Sequence, residues 1–216
     1  MDLSFQIIEL AGVALFAASG ALLAVQNRMD LFGVLILGVV TALGGGLIRD
    51  VLIGQNPPVM FTYPAYIYLS VVASLSVFVV VRLTHKMHRK NQGIQEFLFI
   101  LSDAMGLGVY AMIGVQAGMD AGYMGNMFLC VCMGTITCVG GGVIRDVMCL
   151  SIPTVLWDHI YALAATLGSA AYYIGICLGI GETISTLLAV IFTVAARVLS
   201  WHYHWSLPRI PLEDIM

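Results

Sequence analysis

Charged residues are scarce in this sequence. They make up 10% of its 216 residues, whereas an ordinary soluble domain carries about a quarter. Residues 31–48, 59–81 and 121–144 contain no charge at all, and each run approaches or exceeds the roughly 20 apolar residues that cross a bilayer as a helix. With 60% hydrophobic residues and a mean hydropathy of +0.97, the composition excludes an ordinary soluble domain and predicts an integral membrane protein.

The motifs of common enzyme classes are also missing. The sequence contains no G-x-x-x-x-G-K-[ST] phosphate loop, no nucleophile elbow and no zinc-ligand spacing, and its five cysteines form no C-x-x-C pair. We therefore expect no enzyme activity, no cofactor, no metal site and no nucleic-acid partner.

One apolar motif occurs twice. Residues 44–51 read GGGLIRDV, and residues 140–147, at an offset of 96, read GGGVIRDV. Between Gly38–Val51 and Gly134–Val147, nine of fourteen positions are identical. A second pair, Glu9-x-x-Gly12 and Asp103-x-x-Gly106, recurs at an offset of 94. The chain is therefore predicted to contain two copies of one unit.

The predicted fold is all-α and membrane-embedded, with seven spans. They lie at about 5–26, 31–53, 63–83, 95–117, 123–148, 156–177 and 183–201. Spans 1–3 and 4–6 form the two copies, and since three is odd the copies must be inverted across the membrane. The predicted units are residues 1–92, 93–180 and 181–216, the last holding the seventh helix and a short tail. Because glycine lacks the Cβ atom that restricts the backbone, the two triplets are expected to break helices 2 and 5.

The distribution of basic residues predicts the orientation. The N-terminus and the links after spans 2, 4 and 6 contain no Lys or Arg. The opposite side, which includes the charge-rich stretch after span 3, holds seven: Arg28, Arg82, Lys86, Arg89, Lys90, Arg197 and Arg209. Since basic residues concentrate in cytoplasmic loops, we expect the N-terminus outside and the C-terminus in the cytoplasm. Trp201, Tyr203 and Trp205 are expected to form an aromatic belt at the membrane interface.

The doubled Gly-Gly-Gly-x-Ile-Arg-Asp-Val motif on the second and fifth spans resembles the prokaryotic TRIC-type (trimeric intracellular cation) channels. Many bacterial members carry a glycine transporter domain label. The resemblance covers nearly the whole chain. It implies a homotrimer in the prokaryotic inner membrane, with one path per protomer for monovalent cations, potassium being preferred and sodium the alternative ion. It also implies that the path lies between the two glycine-kinked helices. The matching residues are Gly44, Gly45, Gly46, Arg49 and Asp50, with Gly140, Gly141, Gly142, Arg145 and Asp146.

The residues themselves leave two interpretations of the glycines open. If the triplets unwind, the freed carbonyl groups become available to a cation in a water-filled or protein-lined space. Alternatively, the glycines only allow two helices to pack closely, as small residues do in membranes.

The Arg-Asp pairs are costly in hydrocarbon and are expected to face an interior or a cavity. Adjacent helix residues do not face each other, so Arg49 and Asp50 are predicted to be poor partners. Pairing between the repeats, or with exposed carbonyls, is the hypothesis for all four charged residues. The alternative is that they lie at the membrane surfaces.

Four further residues are candidates. Glu9 and Asp103, at equivalent repeat positions, are expected either to attract cations at the two entrances or to offset a helix dipole. Thr41 and Thr137, one turn before the glycines, either line the path or bond back to helix carbonyls.

Three functions remain open from the residues alone. Inverted repeats suit a cation channel, and they suit equally a secondary transporter for glycine or a similar small amino acid. A structural or lipid-organising protein is the third alternative, but it gives the buried Arg-Asp pairs no purpose. The expected partners are membrane lipids, further copies of the chain and monovalent cations.

Overall fold

The computed structural model describes residues 3–83, 92–157 and 160–203. Within these ranges the chain forms nine α-helices, one π-helix and no strand. In chain order they are α1 (Leu3–Gln26), α2 (Leu31–Leu52), α3 (Val59–Thr62), α4 (Ala65–Leu83), α5 (Gln92–Gly118), the π-helix Met119–Tyr123, α6 (Met127–Met148), α7 (Thr154–Trp157), α8 (Tyr161–Cys177) and α9 (Glu182–Tyr203).

The long helices coincide with the predicted spans. In the described ranges, six helices are long and apolar enough to cross a membrane: α1, α2, α4, α5 with its π-helical extension, α6 and α9. The sixth predicted span corresponds to α8, which has 17 residues and is therefore ~25 Å long. Helix α8 is apolar but shorter than the roughly 20 residues of a usual span. Residues 84–91, which hold most of the basic loop, lie outside the described residues. The same is true of Trp205 and Arg209 in the tail.

Four helices form the centre of the molecule. Helices α1 and α5 pack against each other, as do α2 and α6, and each also contacts its sequence neighbour. Helix α4 lies against α1 and α2, whereas α8 lies against α5 and α6. Helix α9 packs on α5 and α8, so it covers the second half of the chain and leaves the first half more exposed.

The glycine triplets do not break their helices, contrary to the prediction. Helices α2 and α6 continue through Gly44–Gly46 and Gly140–Gly142. The reason is that the two helices cross at the triplets. A Cβ atom on Gly45 would overlap the carbonyl oxygen of Thr137, and one on Gly141 would overlap that of Thr41. The glycines therefore serve close backbone packing, and their carbonyls stay within the helices.

The contacts around the crossing are reciprocal. A Cβ atom on Gly12 of α1 would lie 3.0 Å from the Tyr110 ring, and one on Gly106 of α5 would lie 2.6 Å from Phe16. The two rings, at equivalent positions of the repeat, pack with their centres 4.8 Å apart. Gly12 and Gly106 thus allow α1 and α5 to approach closely, as the triplets do for α2 and α6. The Phe16–Tyr110 ring pair lies between α1 and α5.

Candidate functional site

The arginine and aspartate of each motif pair with each other. The Arg49 Nε and Nη2 atoms donate to Asp50 Oδ1 at 2.9 and 2.6 Å, and Arg145 Nε donates to Asp146 Oδ1 at 2.8 Å. The prediction that adjacent residues would be poor partners is wrong, because the long arginine side chain curls around the helix to reach its neighbour. All four side chains are buried, and pairing offsets the large cost of burying a charge.

The second carboxylate oxygen of each aspartate holds the following short helix. Asp50 Oδ2 accepts from the Val59 backbone N–H at 2.8 Å. Asp146 Oδ2 accepts from the backbone N–H and the hydroxyl of Thr154, both at 2.7 Å. Val59 and Thr154 begin α3 and α7, where free N–H groups favour an anion. Each aspartate therefore ties its arginine to the loop that follows the motif.

The second motif makes an additional ion pair. Arg145 Nη1 donates to Asp103 Oδ1 at 2.6 Å and to Ser19 Oγ at 3.0 Å. Ser19 donates in turn to Asp103 Oδ1 at 3.0 Å, and the Arg145 guanidinium lies 5.1 Å from the centre of the Phe99 ring. Arg145 is fully buried and Asp103 is 1% exposed. Among the hydrogen bonds that Arg145 makes with described residues, the one to Ser19 joins the two repeats, but Ser19 is uncharged. The charges of each motif pair within their own repeat, so the expected pairing of charges between repeats is wrong.

The first motif faces a cavity instead. Glu9 is the repeat equivalent of Asp103, yet the described side chains show no ion pair between Glu9 and Arg49. Tyr66 of α4 lies next to Glu9. A cavity of about 690 Å³ is lined by Glu9 and Arg49, by Tyr63 and Tyr66 of the α3–α4 region, and by residues of α5 and of the π-helix up to Ala121.

The cavity narrows towards the middle of the molecule. A smaller space of about 30 Å³ shares Glu9 and Arg49 with it and continues to Val13, Ala42 and Tyr110. The Tyr110 hydroxyl closes this end by donating to the Ala42 carbonyl at 2.6 Å. Beyond Tyr110 lies the ring of Phe16.

Tyr161 fills the corresponding position at the second motif. It is the first residue of α8, whereas Ala65 is the first residue of α4, and the two are separated by the same 96 residues as the motifs. Ala65 lines the cavity; Tyr161 is 1% exposed. Its hydroxyl would lie 3.0 Å from a Cβ atom on Gly142, and the Arg197 guanidinium of α9 lies 4.6 Å from its ring centre.

The two threonines bond back to their own helices. The Thr41 hydroxyl donates to Leu37 O and the Thr137 hydroxyl to Met133 O, both at 2.6 Å. Both residues are buried at the α2–α6 crossing, which agrees with the second of the two interpretations.

Sequence reasoning missed Ser19, Tyr161 and Gln116. Applying the offset of 94 aligns Ser19 with Ile113, and the offset of 96 aligns Tyr161 with Ala65. The first alignment sets a polar side chain against an apolar one, and the second sets a large side chain against a small one, so both positions mark differences between the copies. Gln116 reads as a span end in sequence, but it lines the cavity.

A family model described as glycine transporter matches the chain twice, over residues 6–82 and 100–176. The chain is 36% identical over 211 residues to the UPF0126 inner membrane protein YadS of Escherichia coli, covering 96% of both chains.

Solved structures extend the similarity. A structure described in work on conductance through TRIC cation channels is 37% identical, with a TM-score of 0.81 over 96% of this chain and 97% of that one. The TRIC trimeric intracellular cation channel orthologue from Rhodobacter sphaeroides is 26% identical, with a TM-score of 0.82 over 94% of this chain and 100% of the other. The resemblance drawn from the doubled motif is thereby confirmed.

Proposed function

We propose that this chain, which belongs to the glycine transporter family and shares the fold of the TRIC cation channels, is a channel for monovalent cations and not an enzyme. The observation that carries the proposal is the cavity of about 690 Å³ that leads from the surface to Glu9 and Arg49. Its arginine is already neutralised by Asp50 at 2.6 Å, so the carboxylate of Glu9 remains available to a cation.

The path runs beside the α2–α6 crossing and not through it. At the crossing, the backbones of Gly45 and Gly141 leave no room for an ion. The cavity and its narrow continuation, by contrast, follow α1, α2 and α5 from Glu9 to Tyr110. Beyond Phe16 the proposed path follows α1 to Ser19, which bonds both Asp103 and Arg145 at the second motif.

The path is closed in this conformation at two places. The Phe16–Tyr110 pair blocks its middle, and Tyr161 with the Arg145–Asp103 ion pair fills the second entrance. Conduction therefore requires these side chains to move. A closed state is consistent with a gated path whose sites hold ions weakly.

Finer features complete the proposal. The permeant ion is potassium, with sodium as the alternative. The chain forms a homotrimer with one path in each protomer, as the name of the Rhodobacter sphaeroides relative suggests.

Helix α8 is a short seventh span, and residues 1–92 and 93–180 are inverted repeats followed by the seventh-helix unit 181–216. The distribution of seven Lys and Arg residues on one side against none on the other supports an external N-terminus and a cytoplasmic C-terminus.

A secondary transporter for glycine or a similar amino acid is the second candidate. One observation favours it: access is open on one side, at Glu9 and Arg49, and closed on the other, at Asp103 and Arg145. An alternating-access carrier rests in such a one-sided state.

Planar bilayer recording tests the proposal. Purified protein under a potassium chloride gradient should give discrete current steps that reverse near the potassium equilibrium potential, and bilayers without protein should give none. Labelled-glycine uptake into liposomes from the same preparation is the companion measurement. Saturable uptake without current steps would replace the channel by the carrier.

A further inference from the structure

The end of α5 forms one lip of the cavity. After Gly118 the helix continues as the π-helix Met119–Tyr123, which is kinked at Gly122 with a φ of 91°. Gln116 and Asp120 lie on this last stretch and both line the cavity. This turn carries an exposed carboxylate, that of Asp120.

A buried tyrosine fixes the direction of this carboxylate. The Tyr172 hydroxyl donates to Gln116 Oε1 at 3.0 Å, and Gln116 Nε2 donates to Asp120 Oδ1 at 2.8 Å. Tyr172 on α8 is fully buried. The glutamine amide is thereby held with its NH₂ group towards Asp120, since the reverse orientation would set its carbonyl oxygen against the carboxylate. One oxygen of Asp120 is engaged in this chain of bonds.

The charges around the cavity do not balance. Its charged lining residues are Glu9, Arg49, Asp50 and Asp120. Arg49 and Asp50 cancel each other as an ion pair, which leaves two carboxylates. Glu9 is half-buried beside Tyr66, whereas Asp120 is exposed to water at the lip. Asp120 is therefore the carboxylate that sets the potential where an ion enters.

We infer that Asp120 is a specificity-determining residue, which concentrates cations in the cavity, and that Gln116 and Tyr172 are positioning residues for it. A low-dielectric cleft lined by one sign of charge raises the local concentration of counter-ions. This inference deepens the proposed channel function and rests on it for its physiological meaning. The potential itself exists whether or not the chain conducts.

Cysteine modification measures that potential without requiring a current. Gln55 is an exposed cavity residue, and Gln55→Cys places a thiol there, in a Cys177→Ser background because Cys177 is the exposed native cysteine. The ratio of reaction rates with trimethylammonioethyl and sulfonatoethyl methanethiosulfonate reports the potential at that thiol. We expect Asp120→Asn to lower this ratio several-fold at low salt and hardly at all at 1 M KCl, where the screening length is about 3 Å.

Matched variants separate charge from structure. Asp120→Glu keeps the charge and should keep the ratio. Asp30→Asn removes a carboxylate from the N-cap of α2, outside the cavity lining, and should also leave the ratio unchanged. Tyr172→Phe should lower the ratio in part, whereas Tyr173→Phe, whose hydroxyl bonds the Met124 carbonyl at 2.7 Å, should not.

The same variants in planar bilayers complete the test. Asp120→Asn should lower potassium conductance on the order of twofold at ~0.05 M KCl and leave it unchanged at ~1 M. A rate ratio that Asp120→Asn does not alter overturns the inference, whatever the currents. An altered ratio in a protein that never conducts supports the role of Asp120 in the potential and removes the channel function.

Discussion

Tyr161 and Ala65 begin equivalent helices of the two repeats, and the difference in their size separates a closed site from an open one. Ala65 lines the cavity beside Arg49, whereas the Tyr161 ring is buried in the corresponding region beside Arg145 and Gly142. Helix α9 reinforces the closure by placing Arg197 against that ring at 4.6 Å. The two copies of the motif therefore have the same Arg-Asp pair, but only the first copy is open to a cavity in the described structure.

Tyr161→Ala should open the second entrance. Removing a buried aromatic side chain leaves a space in the core and costs about 3–5 kcal/mol of stability. We expect a higher single-channel conductance or open probability, measured in bilayers. Tyr161→Phe keeps the ring and should conduct as the native protein does.

Ala65→Tyr makes the reverse change at an exposed position, where the protein should fold normally. The new ring should fill the cavity and lower the conductance, with slower modification of Gln55→Cys as a second readout. If the filled cavity left both the current and the modification rate unchanged, the path would have to lie elsewhere.

Asp103→Asn and Glu9→Gln should differ sharply. Asp103 bonds the fully buried Arg145 at 2.6 Å, and breaking a buried ion pair typically costs about 3–5 kcal/mol. Glu9 faces the cavity, so its neutral variant should stay folded and mainly reduce conductance at low salt. Thermal unfolding in detergent, followed by size-exclusion chromatography, compares the two. Equal stability of the two variants would contradict the proposed division of roles.

Gly45→Ala and Gly46→Ala test the crossing within one triplet. A Cβ atom on Gly45 would overlap the Thr137 carbonyl, whereas one on Gly46 would meet only Arg49 Nη2, at 3.7 Å. Overpacking costs about 1–3 kcal/mol, and each kcal/mol lowers Tm by ~2–4 °C for a chain of this size. Gly45→Ala should therefore lower Tm measurably, with Gly46→Ala close to native. A similar Tm for both would mean that the helices separate easily at this point.

Exchanging Arg49 and Asp50 should destabilise the protein although composition and charge stay the same. Asp50 joins Arg49 to the Val59 N–H of α3, and an arginine at position 50 has no acceptor for that donor. We expect a lower Tm and loss of current, with Arg49→Lys retaining part of both. An exchanged variant with native stability and conductance would show that the geometry of the pair is unimportant.

Much of the fold follows from the sequence because hydrocarbon solvent imposes strong rules. Charge-free runs located the long helices to within a few residues, as α2 at Leu31–Leu52 against a predicted 31–53 illustrates. The repeat offset of 96 also placed Arg49 and Arg145 at equivalent positions of two matching helices, α2 and α6. Composition alone, however, could not distinguish a broken helix from a crossing, since Gly44–Gly46 suits both.

The details of the site depend on tertiary contacts that no local pattern encodes. Arg49 pairs with Asp50 because its side chain is long enough to reach the neighbouring carboxylate. Helix geometry alone predicted that adjacent residues would not pair. Arg145 pairs with Asp103 as well as with Asp146, whereas the sequence suggested that Asp103 either attracts cations at an entrance or offsets a helix dipole. The burial of Tyr161 depends on α9, which belongs to neither repeat.

The glycine crossing has a mechanical consequence. Side chains that interlock would fix both the separation and the angle of α2 and α6, but Gly45 and Gly141 bring backbone against backbone. Such a contact resists further approach, and the side chains of Ile48 and Ile144 flank it on the facing helices. The separation of α2 and α6 is therefore set by their backbones at Gly45 and Gly141, and no larger side chain stands between the helices at that point.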